Sequence, residues 1–168
     1  MSRTSTPPVS MEIASLIAAA KAVRAHAHAP YSKYFVGAAL LTRSGRIYVG
    51  CNVENASYGA TICAERNAIA QMVAAGERHP IACVVVTQGP TPGSPCGMCR
   101  QVLAEFAADM PVVLVAAQEG EADVLEQTSL ATLFPSGFRP ENLEGAALVN
   151  ASGAPPRGPS RAPRRRAP

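Results

Sequence analysis

Along residues 11–29 the apolar positions Ile13, Leu16, Ile17, Ala20 and Val23 fall at the three-and-four spacing that keeps one helix face apolar. Ser10 stands where an N-cap belongs, Glu12 falls in the first turn and Pro30 stops the pattern, so a helix is expected to end before it. Residues 35–41 and 46–53 are short β-rich runs separated by Thr-Arg-Ser-Gly, which reads as an antiparallel hairpin. Residues 63–75 are rich in Ala, Ile and Met with Gly76 just beyond, the pattern of a helix with a glycine C-cap. Residues 81–87 and 111–116 are nearly continuous apolar runs, as in strands buried on both faces, and residues 97–108 between them predict a helix. Strand, helix, strand, helix, strand implies parallel pairing across crossovers. Residues 118–144 mix charged turns with two apolar runs, 130–134 and 137–138, and are assigned one short helix or strand.

At 168 residues and 48% apolar, the chain can bury one substantial core and is too short for two ordinary domains. The expected organisation is a flexible N-terminus over 1–9, one domain over 10–148 and a disordered tail over 149–168. Residues 151–168 carry five Pro, two Gly and no large apolar side chain, too little burial to offset the entropy of ordering. No run approaches the roughly 20 apolar residues of a membrane span, and the first ten residues lack the apolar segment of a secretory signal, so a cytoplasmic protein is expected.

The net charge of +3 belongs to the tail, where Arg157, Arg161, Arg164, Arg165 and Arg166 stand without an acid. The remainder holds 10 basic against 12 acidic residues and has no basic footprint of the kind nucleic-acid binders carry. The five cysteines, Cys51, Cys63, Cys83, Cys96 and Cys99, are an odd number, which argues for reduced thiols over a disulfide framework.

Cys96 and Cys99 lie three apart at the start of a predicted helix, a spacing that lets both thiols point the same way. By itself such a pair also fits a redox dithiol or half of a structural zinc site. Cys63 and Glu65 stand at the start of the other helix; residues two apart share a pocket there only end-on, at the first turn. Three thiolates leave one tetrahedral position of Zn2+ open for water, the arrangement of a catalytic site. Cys51 and Cys83 are the candidates for a fourth ligand, but each lies in a β-run and reads as a buried core thiol.

Cys63-Ala64-Glu65 with Pro95-Cys96-x-x-Cys99 resembles the zinc deaminase signature in its all-cysteine form. Tyr31-Ser32-Lys33-Tyr34, Val36-Gly37-Ala38-Ala39, Gly50-Cys51-Asn52-Val53-Glu54-Asn55-Ala56, Cys63-Ala64-Glu65-Arg66 and Cys96-Gly97-Met98-Cys99-Arg100-Gln101 extend the likeness to the small homotetrameric cytidine deaminases, over about residues 10–145. The resemblance implies a three-layer α/β/α fold with a mixed five-stranded sheet and one Zn2+ per subunit on Cys63, Cys96 and Cys99. It implies hydrolysis of free cytidine or 2′-deoxycytidine at C4, with Glu65 taking a proton from water, delivering it to N3 and helping ammonia leave.

It further implies that Asn52 and Glu54 bind the ribose, that Tyr34 (where the family usually has Phe) and Ala64 line the pocket, and that Arg66 and Gln101 support the zinc thiolates. Ala56, Tyr58 and Phe138 would reach a neighbouring subunit's pocket in a homotetramer. A Glu54 carboxylate disfavours a polynucleotide, which lacks a free 3′-hydroxyl internally and brings a phosphate. Two other readings stand beside this one: a deaminase of a blasticidin S-type aminonucleoside antibiotic, and a nucleic-acid-binding module with structural zinc that uses the arginine tail. The histidines, His26, His28 and His79, are assigned to helix-end and loop positions.

Overall fold

The computed structural model describes residues 9–118, 120, 122–139 and 142, with backbone only at 9 and 10. Of the flexible N-terminus expected over 1–9, residues 1–8 lie outside the described residues and Val9 opens a helix; the tail expected over 149–168 lies wholly outside them. The chain divides into two units, Met1–Gly137 and Phe138–Pro168. In the second, the Arg139 amide donates to the Asn142 carboxamide oxygen at 2.8 Å.

The first unit is built from α1 (Val9–Arg24), β1 (Gly37–Thr42), β2 (Ile47–Cys51), α2 (Ala64–Ala74), β3 (Pro80–Gln88), α3 (Gly97–Phe106), β4 (Pro111–Ala117), β5 (Val124–Ser129) and α4 (Leu130–Leu133), with a single 3-10 turn at Tyr58–Ala60. The strands form one sheet in the order β2-β1-β3-β4-β5. Only β3 and β4 pair in parallel; the other three neighbours are antiparallel. The mixed five-stranded sheet is thus as the resemblance implied. Parallel pairing holds for one crossover and not for both, because the hairpin inserts β1 between β2 and β3.

Side chains alternate across the strands and so divide the core into two layers. Ala39, Leu41, Val84, Val86, Val113 and Val115 face α1 through Leu16 and Ala20. Leu40, Cys83, Val85, Val112 and Leu114 face the opposite way, onto Ala68 and Met72 of α2, Leu103 of α3 and Leu130 of α4. Because β1, β3 and β4 are covered on both faces, their sequences are apolar without alternation. Gly50 lets α2 lie close against β2: a Cβ there would stand 2.3 Å from the Ala64 carbonyl oxygen and 2.4 Å from the Ala68 nitrogen.

Three local expectations are corrected. Ser10 lies inside α1, which begins at Val9, and α1 ends at Arg24 rather than at 29. Residues 25–29 leave the helix because the segment pairs instead: His28 forms a bridge with Val53, donating its amide to Asn52 and accepting from Glu54. Residues 118–144 hold both a strand and a helix, not one element. β5 is a largely exposed edge strand and so lacks an apolar signature, while the side chain of Ser129 caps α4 by accepting from the Thr132 amide. No helix among the described residues is long and apolar enough to cross a membrane.

Candidate active site

Two helix N-termini meet here. Cys63 is the N-cap of α2 and Cys96 the N-cap of α3, both with extended backbone and neither using its side chain as a cap. The first intrahelical bonds run from Asn67 to the Cys63 carbonyl and from Arg100 to the Cys96 carbonyl, so the thiols are free to project off the helix ends. Cys99 lies one turn into α3 and is fully buried. The three sulfurs lie within 4.8 Å of one another, with Cys63 Sγ and Cys96 Sγ at 3.9 Å. Tetrahedral zinc with Zn–S bonds of about 2.3 Å wants sulfurs about 3.8 Å apart, so the cluster fits this metal. Among the described residues no other His, Cys, Asp or Glu joins it; Cys83 is buried within β3 and Cys51 is half-buried on β2. Glu65, in the first turn of α2, is 4% exposed.

A cleft of about 200 Å3 opens over these groups, lined by Tyr34, Val36, Asn52, Glu54, Cys63, Glu65 and Cys96 together with Ser32, Thr61, Val85, Thr87 and Ser94. The segment 52–54 is held between two neighbours: His28 on one side, and on the other Ile62, which exchanges both amide hydrogen bonds with Val53. Asn52 accepts from the Val36 amide and donates to the Tyr34 carbonyl, each at 2.8 Å, leaving one N–H and one lone pair on the carboxamide. Glu54 accepts from the Tyr31 and Ser32 amides and from the Ser32 hydroxyl. An adjoining depression of about 430 Å3 shares Ser32, Glu54 and Thr61 and adds Tyr31 and Tyr58, whose rings meet edge to face at 5.8 Å. A third depression, of about 620 Å3 around Arg24 and Gln88, has no thiol or carboxylate among its described lining residues and is not where the reactive groups gather.

Residues 11–116 match the family model of the cytidine and deoxycytidylate deaminase zinc-binding region. The chain belongs to this family. It is 47% identical over 138 residues to a cytidine deaminase of Sporosarcina psychrophila, covering 82% of this chain and 98% of that one. A cytidine deaminase of Halalkalibacterium halodurans is 38% identical over 133 residues, 79% of this chain and 98% of the relative. Among solved structures, the cytidine deaminase of Burkholderia pseudomallei superposes with a TM-score of 0.68 at 46% identity, covering 74% of this chain and 98% of that one. The cytidine deaminase of Mycobacterium tuberculosis does so with a TM-score of 0.63 at 34% identity, over 76% and 97%.

The metal of this deaminase site is zinc, which suits its thiol donors. In the metal-free state the thiols share protons unequally. A hydrogen bond from Cys99 and the nearby Arg66 side chain bring Cys63 down to about 5, while the same bond and burial push Cys99 far up. Both helix N-termini add positive dipole ends beside the sulfurs. Burial raises Glu65, and the Cys63 charge adds to the effect. Burial likewise raises the Cys83 thiol, with Glu65 contributing. Hydrogen bonds from Ser32 and the neighbouring amides lower Glu54.

The second-sphere residues divide. Arg66 donates Nη2 to the Thr61 carbonyl at 2.7 Å, and its Nε is buried without an acceptor of its own. Arg100, which also follows a ligand in sequence, spends its guanidinium on Pro95, Leu133 and Ser94, so it clamps the loop before Cys96. Ala64 is fully buried at the start of α2, and Gln101 is half-buried on α3. Ala56 is exposed, Tyr58 is 75% exposed and Phe138 56%. Ser32 and Thr87 also line the cleft, and no local sequence signal marks either; the backbone fold that turns the Ser32 hydroxyl to Glu54 is a tertiary feature.

Proposed function

We propose that this enzyme hydrolytically deaminates free cytidine and 2′-deoxycytidine, giving uridine or 2′-deoxyuridine and ammonia. The observation that carries the reading is one cleft holding a buried carboxyl, Glu65, against a three-thiol cluster of zinc dimensions. Cys63, Cys96 and Cys99 would hold the zinc, which would supply the Lewis acidity that makes a water nucleophilic near neutral pH. Glu65 takes a proton from the attacking water as the new oxygen bond forms to C4 of the base, and passes it to N3. It then carries the second proton to the departing amine, so that the C4–N bond breaks with loss of ammonia. Its raised affinity for protons brings the carboxyl toward the range in which it can both accept and return one.

Asn52 and Glu54 are the sugar-binding groups in this reading. The carboxylate, held by backbone amides at the cleft mouth, accepts a hydrogen bond from a free sugar hydroxyl and repels the phosphate of a polynucleotide. Tyr34 and Ala64 bound the base, and Arg66 and Gln101 support the ligand thiolates. The exposed Ala56, Tyr58 and Phe138 are surfaces for neighbouring subunits of a cytoplasmic homotetramer.

The test is ultraviolet-monitored turnover of cytidine, deoxycytidine and a cytosine-containing oligonucleotide on enzyme of measured zinc content. Turnover of the nucleosides alone, with one zinc per chain, is expected. Glu65→Gln should keep its zinc and lose activity on the order of a thousandfold. Zinc without nucleoside turnover, or an active Glu65→Gln variant, would refute the assignment.

A further inference from the structure

We propose that Gly93 is a positioning residue for substrate binding: its missing side chain is the notch that seats the Tyr34 hydroxyl and so holds the tyrosine ring in the cleft wall. The proposal rests on the deamination reading above. A Cβ at residue 93 would stand 2.4 Å from Tyr34 Oη and 2.9 Å from Thr87 Cγ2. The backbone itself makes no demand for glycine here. The glycines in the left-handed region are Gly45, Gly76, Gly89 and Gly120, and Gly93 is not among them. Space is therefore what the position supplies, and the atom that fills it is the hydroxyl of a cleft residue.

The clash falls on the movable end of the side chain of Tyr34, a residue 40% exposed, while the backbone on either side is held. Gly93 is tied to β3, since its amide donates to Thr87 Oγ1 at 3.0 Å. Tyr34 is fixed at both ends of its backbone: its amide donates to Ser32 Oγ at 3.0 Å and its carbonyl accepts from Asn52 at 2.8 Å. The preceding carbonyl, of Lys33, accepts from Gln88 at the end of β3 at 2.8 Å. With the loop and the strand pinned together, a methyl group at 93 has to move the tyrosine ring, and the ring borders the space the substrate needs. Removing the hydroxyl removes the nearest obstacle, so the two positions should act as a unit.

The experiment is a double-mutant cycle of Gly93→Ala and Tyr34→Phe, reading KM and kcat for cytidine, zinc content and thermal midpoint on purified full-length enzyme. Gly93→Ala alone should raise KM on the order of tenfold, with kcat changed by less than about twofold, the signature of lost substrate binding. In the Tyr34→Phe background the same substitution should raise KM no more than about threefold, the remainder being the Thr87 contact. If Gly93→Ala alone yields no folded protein, recovery of folded, active enzyme on adding Tyr34→Phe carries the same meaning, and failure of both overturns the proposal. An active parent whose Gly93→Ala variant keeps the parental KM, or loses equally in both backgrounds, overturns it as well. A parent that contains zinc and turns over neither nucleoside overturns the functional reading, and this one with it.

Discussion

Glu65 shows most clearly how a single residue is set by its surroundings. Its carboxyl is 4% exposed and is raised by burial first and by the charge on Cys63 after that. In metal-free protein the folded state therefore keeps a proton that the unfolded chain has already released between the ordinary carboxylate value and the raised one. Stability should fall as pH rises through that window, because the unfolded state binds fewer protons there. Thermal midpoints of zinc-free protein across the window should show this fall, and Glu65→Gln should flatten it; an equal slope in the variant would refute the assignment. The residue types were legible from the chain, since three thiols and a carboxylate stand at two predicted helix starts and match the deaminase signature. The partners were not. That Arg100 is consumed by Pro95, Leu133 and Ser94 while Arg66 gives Nη2 to Thr61 and keeps a buried Nε depends on which carbonyls the fold brings near.

At the scale of elements, the site depends on how closely α2 can approach β2. Gly50 makes that approach possible, since a Cβ there would collide with backbone atoms of Ala64 and Ala68 rather than with a movable side chain. Gly50→Ala should therefore cost about 3 kcal/mol of folding stability, the upper range for overpacking. It should also lower zinc affinity, because Cys63 and Glu65 ride on the displaced helix end. Denaturant unfolding and zinc titration check both, and an unchanged midpoint would contradict the packing argument. Strands β1, β3 and β4 and helices α2 and α3 were legible because their burial leaves continuous or periodic apolar runs. β5 was not, since an edge strand with most side chains in solvent carries no such pattern. The early end of α1 was missed for a related reason. Helix propensity continues through Ala25 and Ala27, but hydrogen bonds from His28 to the 52–54 segment take that backbone away.

For the molecule as a whole, the depression adjoining the cleft leaves two aromatic side chains largely in solvent, Tyr31 at 51% and Tyr58 at 75% exposed. Surface of this kind beside a functional cleft favours contact with another protein surface. Light scattering on the purified enzyme should give the mass of four chains, and Tyr58→Ala should weaken both assembly and turnover. A monomer with full activity would refute the tetramer. What the sequence determined by itself was the chemistry and the layered fold: which side chains could bind zinc, which carboxyl could move protons, and which runs had to be buried. The buried runs follow from hydrophobic period and the thiol set from local spacing, which the chain carries explicitly; the role of the carboxyl and the layering came from the family resemblance of the motifs. The tertiary structure alone decided the order of the sheet, the bonds that hold Asn52 and Glu54 at the cleft, and the fit of Tyr34 against Gly93. Each of these is a contact between residues far apart in the chain, made by packing that no local pattern encodes.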